Sequence, residues 1–385
     1  MIKTFYLGLA CSHYGNGITS ALITNFPYSG GAAPALWLGF AVFALNLILF
    51  VFVCGCTIAR YTMFPEVSWG LMLSHPAQSL FIGVFPMGAA TLINGALALN
   101  QARGWGGNAL LYTLWGFWWL DSLVSYVIAF GMLYIMIVRQ EQSLAKMTAV
   151  WLLPVVTLIV ASSTGGLLAK ALLPHSTKLA LITTTFSLVM VLIGLSFALM
   201  IITVYLLRPY YVRAVTLSLL NGENMSELLP PSLWSRLPIR PTSGQIPFLA
   251  QSGQMIFVAC LAGSFILWAM GIAWIIVAVL RYFCSEKRKD SLLDGLLGMV
   301  FPHGTFASLS VKLALVLDSS FYRAFGGLWC CTLWLWMFTR SIPAFHRRFI
   351  IQGTLCKSIL EIEKGQDTPV GDFTCPLAKG EKKPF

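Results

Sequence analysis

Apolar residues in this chain run in long, nearly unbroken stretches, past the alternation of a strand or the one-sided stripe of a soluble helix. Stretches near the 20-residue length that crosses a hydrocarbon core lie at about 5–24, 35–56, 76–99, 109–137, 148–170, 179–206, 246–283, 291–317 and 324–341. The seventh is too long for one ordinary span and short for two. A tight turn at Gly263-Ser264 would divide it into about 246–262 and 264–283. Positive charge falls in alternate loops: Arg60; then Arg139 and Lys146; then Arg208, Arg213, Arg236 and Arg240. If the seventh stretch crosses twice, Arg281, Lys287, Arg288 and Lys289 join the same side, with Arg340, Arg347 and Arg348 of the tail. The positive-inside rule then predicts ten spans with N- and C-termini both cytoplasmic. The predicted architecture is an all-α polytopic membrane protein, with 1–342 as the transmembrane domain and 343–385 as a cytoplasmic C-terminal tail. Pro209, Pro230, Pro231, Pro238 and Pro241 make 207–245 read as an extended cytoplasmic loop.

Composition agrees with lipid as the main solvent. Of the 385 residues, 57% are hydrophobic and only 10% charged, against roughly 25% charged in soluble domains. The net charge of +11 reads first as a topology signal, and nucleic acid is set aside as a partner. The nine cysteines show no metal-ligand spacing. Cys54 and Cys56, and the adjacent Cys330 and Cys331, sit in or beside apolar runs and read as inert thiols, so neither metal nor cofactor is expected. His13 and Asn16 interrupt the first apolar run, which therefore reads as a retained span rather than a signal peptide.

Glycine and proline are not spread evenly. The first span has Gly15 and Gly17, the third Gly83, Pro86 and Gly88, the fifth Pro154, Gly165 and Gly166, and the last but one Pro302 and Gly304. Proline removes a backbone donor and bends a helix, and broken helices at membrane depth survive where protein or a watery cavity covers them. The odd spans therefore read as an inner, kinked set and the even spans as an outer set facing lipid. Frequent glycine and proline are also a general habit of membrane helices.

The residues then carry a resemblance. The third span reads His75-Pro76-Ala77-Gln78-Ser79-Leu80-Phe81 and continues through Gly83, Phe85-Pro86-Met87-Gly88, Thr91 and Asn94. The fourth holds Trp118-Trp119-Leu120-Asp121. The fifth holds Trp151-Leu152-Leu153-Pro154 and Ala161-Ser162-Ser163-Thr164-Gly165-Gly166. The ninth holds Val300-Phe301-Pro302-His303-Gly304-Thr305-Phe306. Together these resemble the fungal sulfite efflux pumps of the tellurite-resistance/dicarboxylate transporter superfamily, which includes the malate permeases and plant slow anion channels. The resemblance implies ten helices: five kinked inner helices around a pore and five outer ones. It also implies homotrimers with one pore per subunit, a plasma-membrane location, and a phenylalanine plug on the ninth helix, matched here by Phe301. The chain departs from the family pattern with Asn16 between Gly15 and Gly17, with His303 in place of the usual Asn, and with a seventh helix that lacks its following external loop.

Several residues are candidates for chemistry. Gly15, Gly17, Gly165 and Gly166 would let a small oxyanion approach the backbone, and Ser162, Ser163, Thr164 and Asn16 would add neutral donors. Pro86, Gly88, Pro302 and Gly304 complete the expected pore lining. His75 reads as a helix-start residue before Pro76 or as an anion collector at the cytoplasmic mouth. His303 reads as a core histidine or a titrating neighbour of the gate. Asp121 is a proton-coupling or structural-charge site, or one half of an interhelical pair, for instance with Lys312; an unpaired charge at that depth costs about 2.5–3.5 kcal/mol. Lys312 could equally hold anions by its charge.

No metalloprotease, serine-hydrolase or paired-aspartate motif is present, so an enzyme is not expected. Neither is a receptor or scaffold, since no large folded loop stands outside the spans. The expected function is transport of a small anion across the lipid bilayer, with sulfite first, malate or another dicarboxylate second, a chloride or nitrate channel third, and an inactive relative as the remaining alternative.

Overall fold

A chain in lipid has no water to satisfy its peptide groups, so each apolar run closes its hydrogen bonds within itself as a helix. The computed structural model describes residues 10–28, 33–63, 65–66, 79–138, 149–206, 252–284 and 300–336, and every regular element among them is helical. In chain order these are α1 (Ala10–Thr24), α2 (Ala33–Met63), α3 (Val84–Arg103), α4 (Gly107–Val138), α5 (Leu153–Leu172), α6 (Thr177–Leu206), α7 (Ser252–Cys284), α8 (Val300–Leu317) and α9 (Ser320–Trp336). Four segments are long and apolar enough to cross a membrane: α2, α4, α5 and Thr177–Thr203 of α6. The protein is a multi-pass membrane protein. All of the described residues fall within the compact unit Ile2–Ala344.

Burial sorts the helices into two kinds. α5 is buried nearly all round, from Pro154 to Gly166 and again at Leu168, Ala169 and Leu172. α3 buries most of its N-terminal half, among them Val84, Pro86, Met87, Gly88, Ala90 and Ile93. α8 is buried from Gly304 through Val311. In contrast, α2 buries only Gly39, Asn46 and Arg60, and shows Trp37, Leu38, Ile48, Val51, Phe52 and Ile58 to its surroundings. An apolar surface of that extent belongs against lipid.

α1, α3, α5 and α8 form an arc. α1 packs between α8 and α3, and α3 packs between α1 and α5. Each is backed by the helix that follows it: α2 behind α1, α4 behind α3, α6 behind α5 and α9 behind α8. α7 links the two ends. Its Cys260 and Leu267 join the core shared by Val155, Val156 and Ile159 of α5 with Val191, Ala198 and Ile202 of α6. On the other side Trp268 donates to Ser310 Oγ of α8 at 3.1 Å and stacks with Phe306 at 6.2 Å.

Two expectations change here. The seventh run is not a hairpin: α7 continues as one helix through Gly263 and Ser264. Ser264 Oγ donates to Cys260 O one turn back, at 2.9 Å, which a turn at this place would not allow. The described residues therefore hold nine α-helices, and the two-crossing argument for both termini sharing the cytoplasm loses its turn. The prolines also do not sit mid-helix. Pro86 follows a 3-10 turn, Leu80–Gly83, and Pro154 follows another, Ala149–Leu152. Pro302 is the third residue of α8. First-turn N–H groups have no intrahelical acceptor, so a proline there costs no ladder bond. The loop at 207–245 and the tail at 343–385 lie outside the described residues.

The chain turns tightly between α3 and α4, where Gly104, Gly106 and Gly107 take φ of 67°, 73° and 51°. Asn100 Nδ2 bridges the turn to Trp105 O and Gly107 O at 2.7 and 2.9 Å. A Gly263→Pro substitution tests the unbroken α7. A helix interior loses about 3 kcal/mol to proline, so the variant should unfold at markedly lower temperature in detergent, whereas a turn would accept it without loss.

Candidate functional site

The inner helices lie close together because glycines remove side chains where they meet. A Cβ on Gly17 of α1 would collide with the Thr91 side chain of α3 and come within 3.1 Å of Asn46 Nδ2 of α2. A Cβ on Gly304 of α8 would press on the Ile18 side chain of α1 and stand 3.7 Å from Leu333 of α9. A Cβ on Gly165 of α5 would strike Ser187 Oγ of α6 and come 2.6 Å from Trp118 Cζ2 of α4. These three glycines are contact points between helices, a role the sequence reading did not give them; small residues at such crossings let backbones approach. Gly15, Gly88 and Gly166 are likewise buried.

The expected hydroxyl donors are turned inward. Ser162 Oγ donates to Ile159 O at 2.6 Å, Ser163 Oγ to Val160 O at 2.8 Å, and Thr164 Oγ1 to the same carbonyl at 3.4 Å. Thr91 Oγ1 donates to Gly88 O at 2.8 Å and Thr19 Oγ1 to Gly15 O at 2.9 Å. A hydroxyl has one hydrogen, and in each case it is spent on the helix itself. These groups present lone pairs to a neighbour.

One amide holds a free buried donor, Asn46 Nδ2, and the sequence reading gave that residue no role. Asn46 of α2 has 0% exposure, and neither its Nδ2 nor its Oδ1 has a hydrogen-bond partner. Asn94 of α3 has a buried Oδ1 without a partner. Asn16 of α1 is half-buried beside Gly17. A buried polar atom left unsatisfied costs about 1–3 kcal/mol and calls for an explanation. The signal for Asn46 was legible as the one polar residue between Leu45 and Leu47 in a lipid-facing run.

At α8 the backbone of Phe301 and Pro302 forms the first turn; the expected plug rests on a Phe301 side chain outside the described ones, and His75 also lies outside. His303 is half-buried and stacks on Trp329 with centroids 5.6 Å apart and planes 11° apart. It opens a run of aromatics between α7, α8 and α9. Phe306, fully buried, meets Trp329 edge-on at 5.2 Å and Phe325 at 6.0 Å. The proposed pair of Asp121 with Lys312 is not formed. Among the described residues the only ion pair is Arg323 with Asp318, at 3.0 Å on the surface. Asp121 is buried on α4, behind α3, and Lys312 is half-buried on α8.

Two comparisons bear on this arrangement. Residues 5–342 match the family model SLAC1, voltage-dependent anion channel. Among characterised proteins, the sulfite efflux pump SSU1 of Arthroderma otae is 29% identical across 89% of this chain and 91% of its own length. The sulfite efflux pump SSU1 of Trichophyton rubrum is 28% identical over the same shares. That of Candida albicans is 28% identical over 54% of this chain and 42% of its own.

The contact role of Gly165 gives a direct test. Gly165→Ala overfills the junction of α4, α5 and α6, which costs about 1–3 kcal/mol, and should lower the unfolding temperature of the purified protein. Gly116→Ala on α4, where a Cβ meets nothing within 4 Å, should not.

Proposed function

The chain belongs to the SLAC1 family of voltage-dependent anion channels, and we propose that it carries sulfite out of the cell across the plasma membrane. The observation that carries this reading is similarity to a named sulfite efflux pump along 89% of this chain and 91% of the pump. An all-helical body with buried polar atoms on its inner helices suits the task. Passage of an anion makes and breaks no covalent bond, so the protein acts as a transporter and not as an enzyme.

In this reading the path follows the inner faces of α1, α3, α5 and α8, backed by an outer set. Sulfite is a small oxyanion rich in lone pairs, so it needs donors and positive potential. The amides of Asn16 and Asn46 serve as donors, and Lys312 supplies charge. Gly15, Gly88 and Gly166 leave backbone open to close approach, with Pro86 and Pro302 marking where the helices begin. Weak binding at several places favours flux, since an ion held too firmly does not leave. Phe301 closes the path beside His303, and His75 gathers anions at the cytoplasmic mouth. The functional unit is a homotrimer with a path in each subunit, and 343–385 forms a tail in the cytoplasm.

Expression in a fungal strain lacking its own sulfite pump tests the substrate. Restored sulfite tolerance with faster sulfite release supports efflux. No rescue from protein present at the cell surface would overturn it and direct the search to malate or halide. The gate has its own test: Phe301→Ala should raise anion flux severalfold and weaken its regulation, and wild-type flux from that variant removes the residue from the gate.

A further inference from the structure

The hairpins α3–α4 and α5–α6 turn at the same end of the bundle. α3 and α5 start side by side, since a Cβ on Gly83, just before α3, would stand 2.8 Å from Leu153 O at the start of α5. Each then runs for 20 residues. Near their C-terminal ends, Leu97 of α3 and Leu168 and Leu172 of α5 share one core cluster with Leu111 and Leu114 of α4 and Ala180 of α6. Hydrogen bonds close both turns: Gly104 N donates to Asn100 O at 2.8 Å in the first, and Ser176 N to Leu172 O at 2.8 Å in the second. Side chains on these turns therefore stand on fixed backbone.

This end carries positive charge. Arg103 closes α3, Lys170 lies in the last turn of α5 and Lys178 in the first turn of α6, and all three side chains are exposed. The Arg103 guanidinium lies 5.1 Å from the centroid of the Trp37 ring of α2, an attraction that holds the charge in place. No acid offsets the three cations, for residues 99–112 and 168–182 contain neither Asp nor Glu. The acids among the described residues are Glu66, Asp121 and Asp318. Glu66 follows α2, Asp121 is buried midway along α4, and Asp318 stands between α8 and α9, paired with Arg323.

Two general habits leave this charge unexplained. Cations favour helix C-termini, which suits Arg103 and Lys170, but Lys178 sits at an N-terminal end that is itself partly positive. Cations also gather on the cytoplasmic side. α4 leads away from these turns to Arg139, so the reading that keeps Arg139 in the cytoplasm puts the turns outside. We propose that Arg103, Lys170 and Lys178 form a cationic rim at the outer mouth of the anion path, where α3 and α5 end, and that the rim speeds release of the anion. This rests on the reading of the inner helices as an anion path. The rim works through its potential and needs no contact with the anion: its reach is about 8 Å at physiological ionic strength and about 30 Å at 0.01 M. Its pull grows with the charge of the anion, so a divalent oxyanion gains more than a monovalent one.

The test follows sulfite release from vesicles of neutral phosphatidylcholine that hold the full chain, at pH 8 with sodium gluconate at equal concentration on both sides. At about 10 mM salt the triple variant Arg103→Gln, Lys170→Gln, Lys178→Gln should release sulfite about two- to fourfold more slowly than wild type. At about 1 M salt, where screening shortens to about 3 Å, the two should match. The charge-keeping triple variant Arg103→Lys, Lys170→Arg, Lys178→Arg should match wild type at both. With nitrate in place of sulfite, the loss at low salt should be smaller, in step with the single charge. Should the triple Gln variant fail to fold, Lys178→Gln alone should show the same salt-dependent loss at a smaller size. Equal release by the Gln variants and wild type at low salt overturns the rim. A loss that persists at high salt overturns it too, because it marks a structural effect. A wild type that releases no anion overturns the path itself, and the rim with it.

Discussion

Close approach of helix backbones is the constraint on which the rest of this structure depends. In lipid the usual gain from burying apolar surface between helices is absent, because acyl chains are as apolar as leucine. What remains is contact, and contact at backbone range needs positions without side chains. Gly17, Gly304 and Gly165 occupy three such positions, each pressed on by a residue of a neighbouring helix: Thr91, Ile18 and Trp118. Two of these crossings set α1 between α3 and α8, and the third locks α5 to its outer partners. The arc of inner helices exists because these places are bare, and the polar atoms along it are buried for the same reason.

Tight packing dictates what the polar side chains do. A serine or threonine inside a helix can give its hydrogen to a carbonyl of the preceding turn, and the hydroxyls of α5 do so at Thr157, Ser162, Ser163 and Thr164. The amide of Asn46 and the carboxyl oxygen Oδ2 of Asp121 find no such local outlet. Asn46 and Asp121, one on α2 and the other on α4, both point from outer helices into the packed interior and find no protein partner there. Two outer helices thus contribute polar groups to a region where the hydroxyls of α5 keep their hydrogens to themselves.

Much of the fold was legible because lipid imposes a simple rule on sequence: long apolar runs become helices. The inner rank of α1, α3, α5 and α8 was legible too, since glycine and proline gather in runs that cannot afford bulk. The seventh run misled because Gly263-Ser264 within apolar sequence reads equally as a turn or as a continuous helix; the decision belongs to Cys260 and Leu267, which need one straight element to reach α5 and α6 while Trp268 reaches α8. Candidate site residues were harder. Sequence identifies a glycine or a hydroxyl but not its contacts: that Gly17, Gly165 and Gly304 stand at helix crossings, and that the Ser162 and Ser163 hydrogens go to their own helix, is visible only in the fold. Asp121 was visible as an anomaly, and the meeting of Ser187 with Trp118 at Gly165 was not, because only the fold brings α4 and α6 to the same point on α5.

The lengths of four of the helices carry a consequence for any ion near this protein. α2, α4, α6 and α7 have 31, 32, 30 and 33 residues, so each is about 45–50 Å long at 1.5 Å per residue. The hydrocarbon slab is about 30 Å thick, and ordinary tilts of about 20° absorb only a few ångströms of the difference. Their ends therefore stand in the headgroup layer and beyond as a collar. Inside that collar an ion is already flanked by low-dielectric walls that concentrate the field of nearby charges, while water still hydrates it. The electrostatic encounter with the protein thus begins outside the slab, and the stretch over which hydration must be given up is shorter than the membrane is thick.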